Sequence, residues 1–169
     1  MAILALTAAS VAVQTESFEA AAQLRTGGLG SMQSSMQQEA PAIGWTGKAT
    51  MTDETHGIIT ITATMSDGWH IYGMEATADG PQPTRFTFST GKAWKTEGKM
   101  TVSKAPVKSF DKSFDTELSY WEGKVTFTQK FKLIDKSATE IKCTVNYMGC
   151  NDMTCLPPAT EELTLKLSK

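Results

Sequence analysis

The chain has 169 residues, which is enough for one ordinary domain and a tail. Apolar residues make up 40% of it and charged residues 20%, a balance typical of a globular protein. The formal net charge is −2, and lysines and arginines are scattered singly rather than gathered in a block. The composition therefore argues against nucleic acid as a partner.

The first residues predict export from a bacterial cell. Residues 2–13 (AILALTAASVAV) are apolar and rich in small side chains; they have the length of a signal-peptide core and are too short to span a bilayer. Ser10 and Ala12 fit a small-x-small cleavage site. The basic segment that would precede such a core is missing, so residues 1–13 are interpreted as a signal-peptide remnant, with a fraying apolar tail as the alternative. We expect a periplasmic or otherwise exported protein without a membrane span.

Residues 14–44 are predicted to be a flexible tail or linker. Residues 26–38 (TGGLGSMQSSMQQ) are rich in Gly, Ser and Gln and have no sustained apolar period. Over residues 45–169 apolar and polar positions alternate instead, with turn signals such as Asp67-Gly68 between the runs. Many short strands of this spacing, with no ten-residue helical pattern, predict an all-β antiparallel sandwich.

Four runs carry this alternation most clearly. A period of two with many Thr and aromatic residues is typical of half-buried strands. The apolar positions that share one face in each run are Ile59, Ile61, Ala63 and Met65; Val125, Phe127, Phe131 and Leu133; Ile141, Cys143, Val145 and Tyr147; and Leu163, Leu165 and Leu167.

The three cysteines cannot all pair within the chain, and an exported protein permits one disulfide with one thiol left over. Cys150 and Cys155 follow a predicted strand, and they can reach disulfide geometry if the loop between them folds back. Gly149 is expected to permit a sharp turn there, and the two prolines at 157–158 to keep the exit extended. Cys143 falls on the apolar face of its strand, which favours a buried free thiol over a bridge to either of the others.

The loop between Cys150 and Cys155 is short. Closing a loop of about six residues restricts the unfolded chain by only ~2 kcal/mol, about half of what a long-range cross-link gives. Such a bridge contributes little to holding two sheets together and is of the kind that is easily reduced. The spacing by itself leaves two possibilities open, a redox-active pair and a local structural staple.

The segment 147–158 (YMGCNDMTCLPP) resembles the active-site segment of the N-terminal periplasmic domain of the thiol:disulfide interchange protein DsbD. Residues 67–72 (DGWHIY) are similar to an Asp-Gly-aromatic-aromatic-x-Tyr stretch of that family, and residues 113–121 (SFDTELSYW) occupy the place of its cap loop. The similarity covers roughly residues 47–167. This chain has one residue fewer between its cysteines and carries His70 where a site tyrosine is matched. The transmembrane and thioredoxin-like domains of full-length DsbD do not appear in the sequence, so it resembles a stand-alone version of the domain.

The resemblance implies an immunoglobulin-like β-sandwich that relays electrons between thioredoxin-fold proteins, one acting as donor and another as acceptor. It also implies that Cys155 exchanges with the partner, that Cys150 resolves the mixed disulfide, and that no cofactor takes part. A phenylalanine of the cap loop shields the pair in the family. Alignment back from Trp121 assigns this part to Phe114, with Phe110 as the alternative.

The residue types near the cysteines agree with a relay on chemical grounds. Exchange needs a thiolate, whereas an ordinary cysteine has a pKa of about 8.5. No Lys or Arg lies between the two cysteines and Asp152 opposes ionisation, so the pair should react slowly until a partner docks. His70, Tyr72 and Tyr147 are supporting candidates, His70 because a nearby imidazole would help to ionise a thiol. The alternative for all three is packing within strands.

Two other functions stay open. Cys150, Cys155, Met148, Met153 and His70 are soft or borderline ligands suited to Cu(I), which would make a copper-binding module. Against this, the chain has no repeated Met-x-x-Met array, and oxidation to a disulfide would remove the thiolates. The other possibility is an interaction sandwich whose disulfide is purely structural. Nothing suggests a hydrolase, since no Gly-x-Ser-x-Gly element is present and no triad can be assembled.

Overall fold

The structure, a computed structural model, describes residues 41–168. The predictions for residues 1–13 and for the tail up to residue 40 lie outside the described residues. Within 41–168 there is no helix, and hence none that could span a membrane. Eleven strands are present: β1 (Ile43–Met51), β2 (His56–Met65), β3 (His70–Tyr72), β4 (Arg85–Phe88), β5 (Trp94–Val102), β6 (Val107–Asp111), β7 (Thr116–Glu122), β8 (Lys124–Leu133), β9 (Glu140–Tyr147), β10 (Gly149–Cys150) and β11 (Ala159–Ser168).

The strands form two sheets that pack into a sandwich. The larger sheet has seven strands in the order β4-β9-β11-β1-β2-β8-β5, and the smaller has four in the order β10-β3-β7-β6. The ladders among the described residues are antiparallel except that between β1 and β11, which run parallel with Ala49 opposite Leu167. The predicted all-β, immunoglobulin-like sandwich is confirmed, with this one parallel pair added to the expected antiparallel arrangement.

Side chains that alternate along the long strands build the main core. The apolar positions predicted for the runs at 59–65, 125–133 and 141–145 are all buried. In the C-terminal run Leu165 is buried, and its two neighbours in phase are half-buried. Alternation along these strands therefore predicts their buried faces correctly.

One position of β8 breaks the apolar pattern. Gln129 is buried in phase with the apolar residues of its strand. Its amide nitrogen donates to the backbone carbonyls of Glu97 (2.9 Å), Gly98 (3.3 Å) and Lys130 (2.9 Å). Two of these carbonyls lie where the β5–β8 register shifts, between Glu97 and Thr101. The buried amide thus satisfies backbone groups that the bulge leaves without ladder partners.

The small sheet has two different faces because successive side chains of a strand point to opposite sides. Ile71 and Trp121, which lie opposite each other in the β3–β7 ladder, join the main core. Trp121 meets Phe127 of the large sheet edge-on, with ring centroids 5.2 Å apart. The outer face of the small sheet carries a second buried cluster formed by Tyr72, Leu118 and Cys150, against which Phe114, Tyr120, Met148 and Cys155 pack.

Candidate functional site

The chain reaches the site by changing sheets at Met148. Strand β9 belongs to the large sheet, whereas β10 belongs to the small one. In β10, Gly149 lies opposite Ile71 and Cys150 lies opposite His70. A single residue between the two strands thus moves the chain onto the small sheet and places Cys150 in the cluster on its outer face.

Gly149 is needed for a close approach rather than for a turn. A Cβ atom at this position would collide with Cδ1 of Ile43 and would lie 3.3 Å from its Cγ1. The left-handed backbone region is occupied by Gly68, Gly98 and Gly123 among the described glycines, and not by Gly149. The predicted sharp turn at Gly149 is therefore wrong: the residue pairs in a strand, and its missing side chain makes room for Ile43.

Cys150 and Cys155 are joined by a disulfide, with their Cα atoms 4.0 Å apart. The loop between them also has its own turn. The side-chain oxygen of Asn151 accepts hydrogen bonds from the backbone N–H groups of Met153 (2.9 Å) and Thr154 (2.8 Å), and the N–H of Asn151 donates to the carbonyl of Thr154 (2.9 Å). The predicted pairing is confirmed, and hydrogen bonds of the Asn side chain hold the loop in addition to the covalent bond.

Cys143 is a buried free thiol, as its strand phase predicts. It lies in β9 opposite Leu163 of β11 and Phe88 of β4. Burial raises the pKa of Cys143 to about 12. The thiol therefore stays protonated at neutral pH and packs as a small apolar side chain.

The two cysteines of the disulfide differ in exposure. Cys150 is 1% exposed, whereas Cys155 is only partly buried. Two apolar side chains beside Cys155 face solvent, Met153 with 91% and Leu156 with 38% of its surface exposed. An incoming protein therefore meets the Cys155 side of the bond first, within an exposed apolar rim.

Phe114 covers the cluster from the loop between β6 and β7. Its ring meets that of Tyr72 edge-on, with centroids 5.8 Å apart, and it packs against the cluster that contains Cys150. The next residue, Asp115, has a φ of 49°, a left-handed conformation that Asp tolerates better than most residues. This backbone turn lets the chain reverse immediately after Phe114 and enter β7.

Phe110, the alternative shielding residue, lies elsewhere. The residue is 58% exposed, and it does not belong to the cluster. In the β6–β7 ladder Phe110 pairs with Glu117, whereas Ser109 pairs with Leu118 of the cluster. The period of two therefore directs Phe110 to the side of the sheet away from the disulfide.

Asp111 connects the floor of the site to the covering loop, and the sequence interpretation missed it. Its Oδ2 accepts a hydrogen bond from the Tyr72 hydroxyl (2.8 Å), and its Oδ1 accepts one from the backbone N–H of Ser113 (2.8 Å). Burial, aided by the hydrogen bond to Asp111, raises the pKa of Tyr72 above its ordinary value. Tyr72 therefore remains a protonated donor that holds the carboxylate beside Phe114.

His70 lies among aromatic rings next to Cys150. Its ring centroid is 5.1 Å from that of Tyr72 and 4.8 Å from that of Tyr120. Its Nε2 atom is buried without a hydrogen-bond partner among the described residues. Burial lowers the pKa of His70, while the nearby carboxylates of Asp111, Glu122 and Asp152 oppose that shift. The imidazole is consequently neutral at pH 7.

Tyr147 is not brought to the disulfide. It packs in the main core, with its ring centroid 5.2 Å from that of Trp45, and burial raises its pKa. The reason is its position in the strand: Tyr147 lies two residues after Val145 and therefore shares the inward face of β9 with Cys143 and Val145. The structure therefore gathers His70 and Tyr72 around Cys150 and leaves Tyr147 in the sandwich interior.

The soft side chains considered for copper do not share one environment. Met148 packs against the buried cluster, whereas Met153 is almost fully exposed. Between residues 41 and 168 no group of three or more His, Cys, Asp and Glu side chains is arranged to hold a metal ion. The residues form instead a disulfide between one buried and one partly exposed cysteine.

The sequence profile of one protein family, described as thiol:disulfide interchange protein DsbD, N-terminal, matches residues 42–167. The chain belongs to this family. As a DsbD N-terminal domain with its disulfide in place, it is a thiol–disulfide exchange module. No curated protein sequence matches the chain.

Solved structures of similar fold include two of one DsbD N-terminal domain and one of a ScsB N-terminal domain. The N-terminal periplasmic domain of ScsB from Proteus mirabilis is 12% identical with a TM-score of 0.56, over 74% of this chain and 46% of that one. The chain thus spans about half the length of the ScsB domain, and the likeness concerns the fold. The reduced DsbD N-terminal domain of Neisseria meningitidis is 15% identical with a TM-score of 0.48, over 72% of this chain and 84% of that one. The same domain in a complex with the PilB N-terminal domain is 13% identical with a TM-score of 0.46, over 71% of this chain and 80% of that one.

Proposed function

We propose that this domain relays electrons in the periplasm between thioredoxin-fold proteins through the Cys150–Cys155 pair. The unequal exposure of the two cysteines is the observation that carries the proposal. A partner thiolate can approach the partly exposed Cys155, while Cys150 is enclosed by the cluster beneath. Membership of the DsbD N-terminal family supports the same assignment.

The exchange runs in two steps in each direction. The thiolate of a reduced donor attacks Sγ of Cys155, the Cys150–Cys155 bond breaks, and its electron pair leaves on Cys150, which takes up a proton. A second thiolate of the donor then attacks the mixed disulfide and releases Cys155, so the donor is oxidised as the domain is reduced. The reduced pair reverses these steps on the disulfide of an acceptor, with Cys155 attacking and Cys150 resolving.

The surroundings favour slow exchange until a partner has docked. Asp152 lies within the disulfide loop, and Asp111 and Glu122 add negative charge near His70, so a free thiolate at this site is disfavoured. Phe114 covers the cluster from above. In this proposal the ring protects the reduced pair from stray oxidants and moves aside when a partner binds.

The exposed side chains beside Cys155 suit a protein partner. Met153 and Leu156, which flank Cys155 in the sequence, present apolar surface to solvent. A flexible thioether adapts to different partner surfaces, which a domain that must contact both a donor and an acceptor requires. Docking over this rim brings a partner's sulfur to Cys155 rather than to the buried Cys150.

A purely structural staple is the weaker interpretation. The bond closes a short loop and adds only about 2 kcal/mol by restricting the unfolded chain. Asn151 already holds the same loop through hydrogen bonds to Met153 and Thr154. The loop thus has local restraints besides the disulfide, which favours reversible chemistry as the role of the bond.

Trapping of the mixed disulfide tests the proposal. The probe is a thioredoxin whose buried active-site cysteine is replaced by serine and whose exposed cysteine is activated as a mixed disulfide with thionitrobenzoate. Both proteins to be compared carry Cys143→Ala, which removes the third thiol. We expect Cys150→Ser to form a stable adduct through Cys155, and the matched Cys155→Ser variant to react at least tenfold more slowly. Mass spectrometry of the linked peptides identifies the cysteine. No adduct at Cys155, or faster reaction at Cys150, would contradict the relay.

A further inference from the structure

The buried Nε2 atom of His70 is a polar group that the fold encloses and leaves unpaired. Among the side-chain nitrogen and oxygen atoms of the described residues, only this atom and the indole nitrogen of Trp45 are buried without a hydrogen-bond partner. Buried polar atoms in native proteins almost always have partners, and an exception calls for an explanation in strain, ordered water or redox chemistry. Trp45 lies in the main core, whereas His70 lies in the redox site.

The pairing of strands in the small sheet identifies Cys150 as a hydrogen-bond donor for His70 that exists only when the disulfide is reduced. His70 and Cys150 are directly opposite each other in the β3–β10 ladder. Residues paired in this way point to the same face, with Cβ atoms about 4.5–5.5 Å apart. A sulfur in a disulfide carries no hydrogen, so it cannot donate to the imidazole. Reduction gives Cys150 an S–H group on the face of the sheet that also carries the His70 ring.

We propose that His70 is the general base of the resolving step, an assignment that rests on the relay proposed above. In the reduced domain Nε2 accepts a hydrogen bond from the Cys150 thiol, with the ring proton on Nδ1. After Cys155 has formed a mixed disulfide with an acceptor, the proton of Cys150 passes to Nε2 as its sulfur attacks Sγ of Cys155. The Cys150–Cys155 bond forms, the acceptor leaves as a thiolate, and the imidazolium returns its proton to water.

The charges around His70 suit this step. The carboxylates of Asp111, Glu122 and Asp152 act electrostatically on the ring, and the uncharged rings of Tyr72 and Tyr120 pack against it. The acids disfavour a free Cys150 thiolate before the attack and stabilise the imidazolium that forms during it. Burial keeps the resting imidazole neutral and able to accept a proton at pH 7.

Reaction of the reduced protein with dithionitrobenzoate distinguishes the two cysteines, because they react one after the other. In the reduced Cys143→Ala protein the first equivalent of released thionitrobenzoate reports attack by Cys155, and the second reports closure by Cys150. We expect His70→Gln to slow the second phase at least tenfold at pH 7 and to leave the first within twofold. In the parent protein the second phase should reach a plateau by neutral pH, whereas in His70→Gln it should keep rising through the thiol range.

Two further variants keep the test decisive. His56→Gln changes the other histidine of the chain, which pairs with Asp53 at the surface, and it should leave both phases and their pH profiles unchanged. His70→Tyr retains an aromatic ring in the cluster but holds its proton at neutral pH, so it too should slow the second phase. This variant also decides the matter if His70→Gln does not fold, as judged by tryptophan fluorescence and thermal unfolding.

The outcomes that overturn the assignment differ from those that overturn the relay. A parent-like second phase and pH profile in His70→Gln or His70→Tyr shows that the imidazole is not the base. Such a result leaves the relay intact as long as Cys155 forms its adduct with the thioredoxin probe. If Cys155 forms no adduct with that probe, the relay fails whatever the behaviour of His70.

Discussion

At the scale of single residues, the two cysteines of the site differ in their exposure to solvent, in line with the different roles proposed for them. Cys150 is enclosed by Tyr72 and Leu118, whereas Cys155 is partly open. Asp111 links this enclosed floor to the covering loop, since one carboxylate accepts hydrogen bonds from the Tyr72 hydroxyl and from the backbone of Ser113. The position of the covering ring is therefore coupled to the residues that pack beneath the disulfide.

Removal of the covering ring should raise the reactivity of the pair. Phe114→Ala takes away the side chain that packs over the cluster, so the reduced Cys143→Ala protein should release its first equivalent of thionitrobenzoate at least threefold faster. Phe110→Ala is the matched control, because Phe110 is exposed on the other side of the sheet. Faster reaction in Phe110→Ala, or an unchanged rate in Phe114→Ala, would assign the shielding to another residue.

The sequence predicts the chemistry of the cysteines but not all of their neighbours. Cys143 is identifiable as a core thiol because it shares one face of its strand with the apolar residues Ile141 and Val145. Asp111 is not identifiable, since its partner Tyr72 lies 39 residues away and the contact depends on the β3–β7–β6 ladders. The Asx turn to the residue two places on is a local signal for Asp111, but it does not indicate the contact with Tyr72.

At the scale of elements, the small sheet joins the redox site to the core through alternation. Strand β3 has only three residues, with Ile71 facing the main core and its two neighbours facing the disulfide cluster. Strand β10 has two residues, too few for any period to be seen in the sequence. The long strands β2, β8 and β9 are predictable because they repeat the pattern many times, whereas β3 and β10 are defined by their partners.

The close approach of β10 to β1 gives a prediction about stability. Gly149→Ala places a methyl group against the side chain of Ile43 and should cost about 1–3 kcal/mol in the free energy of unfolding. Ile43→Val removes the Cδ1 atom that the new methyl group would meet. The double variant should therefore be more stable than the sum of the two single changes predicts, when measured by urea unfolding of the oxidised proteins. Strict additivity would show that another contact makes the glycine necessary.

At the scale of the whole molecule, the seven-stranded sheet supplies most of the buried apolar residues among those that the structure describes. Its parallel β1–β11 pair lies at the centre of the strand order, and the exposed ends of the order are β4 and β5. Alternation predicts the sandwich and its buried faces, but strand order depends on pairings far apart in the chain, and these leave no local pattern. The buried amide of Gln129 shows the same limit, because the carbonyls that it satisfies belong to a bulge in another strand.

Stability should depend on pH through His70. Burial lowers its pKa in the folded protein, so the unfolded chain binds a proton more readily, and the free energy of unfolding should fall as the pH drops through and below 6.5. Urea unfolding of the oxidised protein at pH 7.5 and pH 5.5 measures this fall, which His70→Gln should reduce. Asp53 affects the free energy of unfolding only in a more acidic pH range, because backbone hydrogen bonds from Thr55 and His56 lower its pKa from 3.8 to about 2. If the free energy of unfolding of His70→Gln fell between pH 7.5 and pH 5.5 by as much as that of the parent protein, the assignment to His70 would be wrong.

The alternation along β3 has a consequence for how such a domain can diverge. Substitutions at its outward positions, His70 and Tyr72, alter the surroundings of the sulfurs, while the inward Ile71 preserves the packing between the sheets. Selection on partner choice or redox tuning can therefore act on one set of positions while selection for folding acts on the interleaved set. A lineage can change its electron-transfer chemistry in this way without first rebuilding its core.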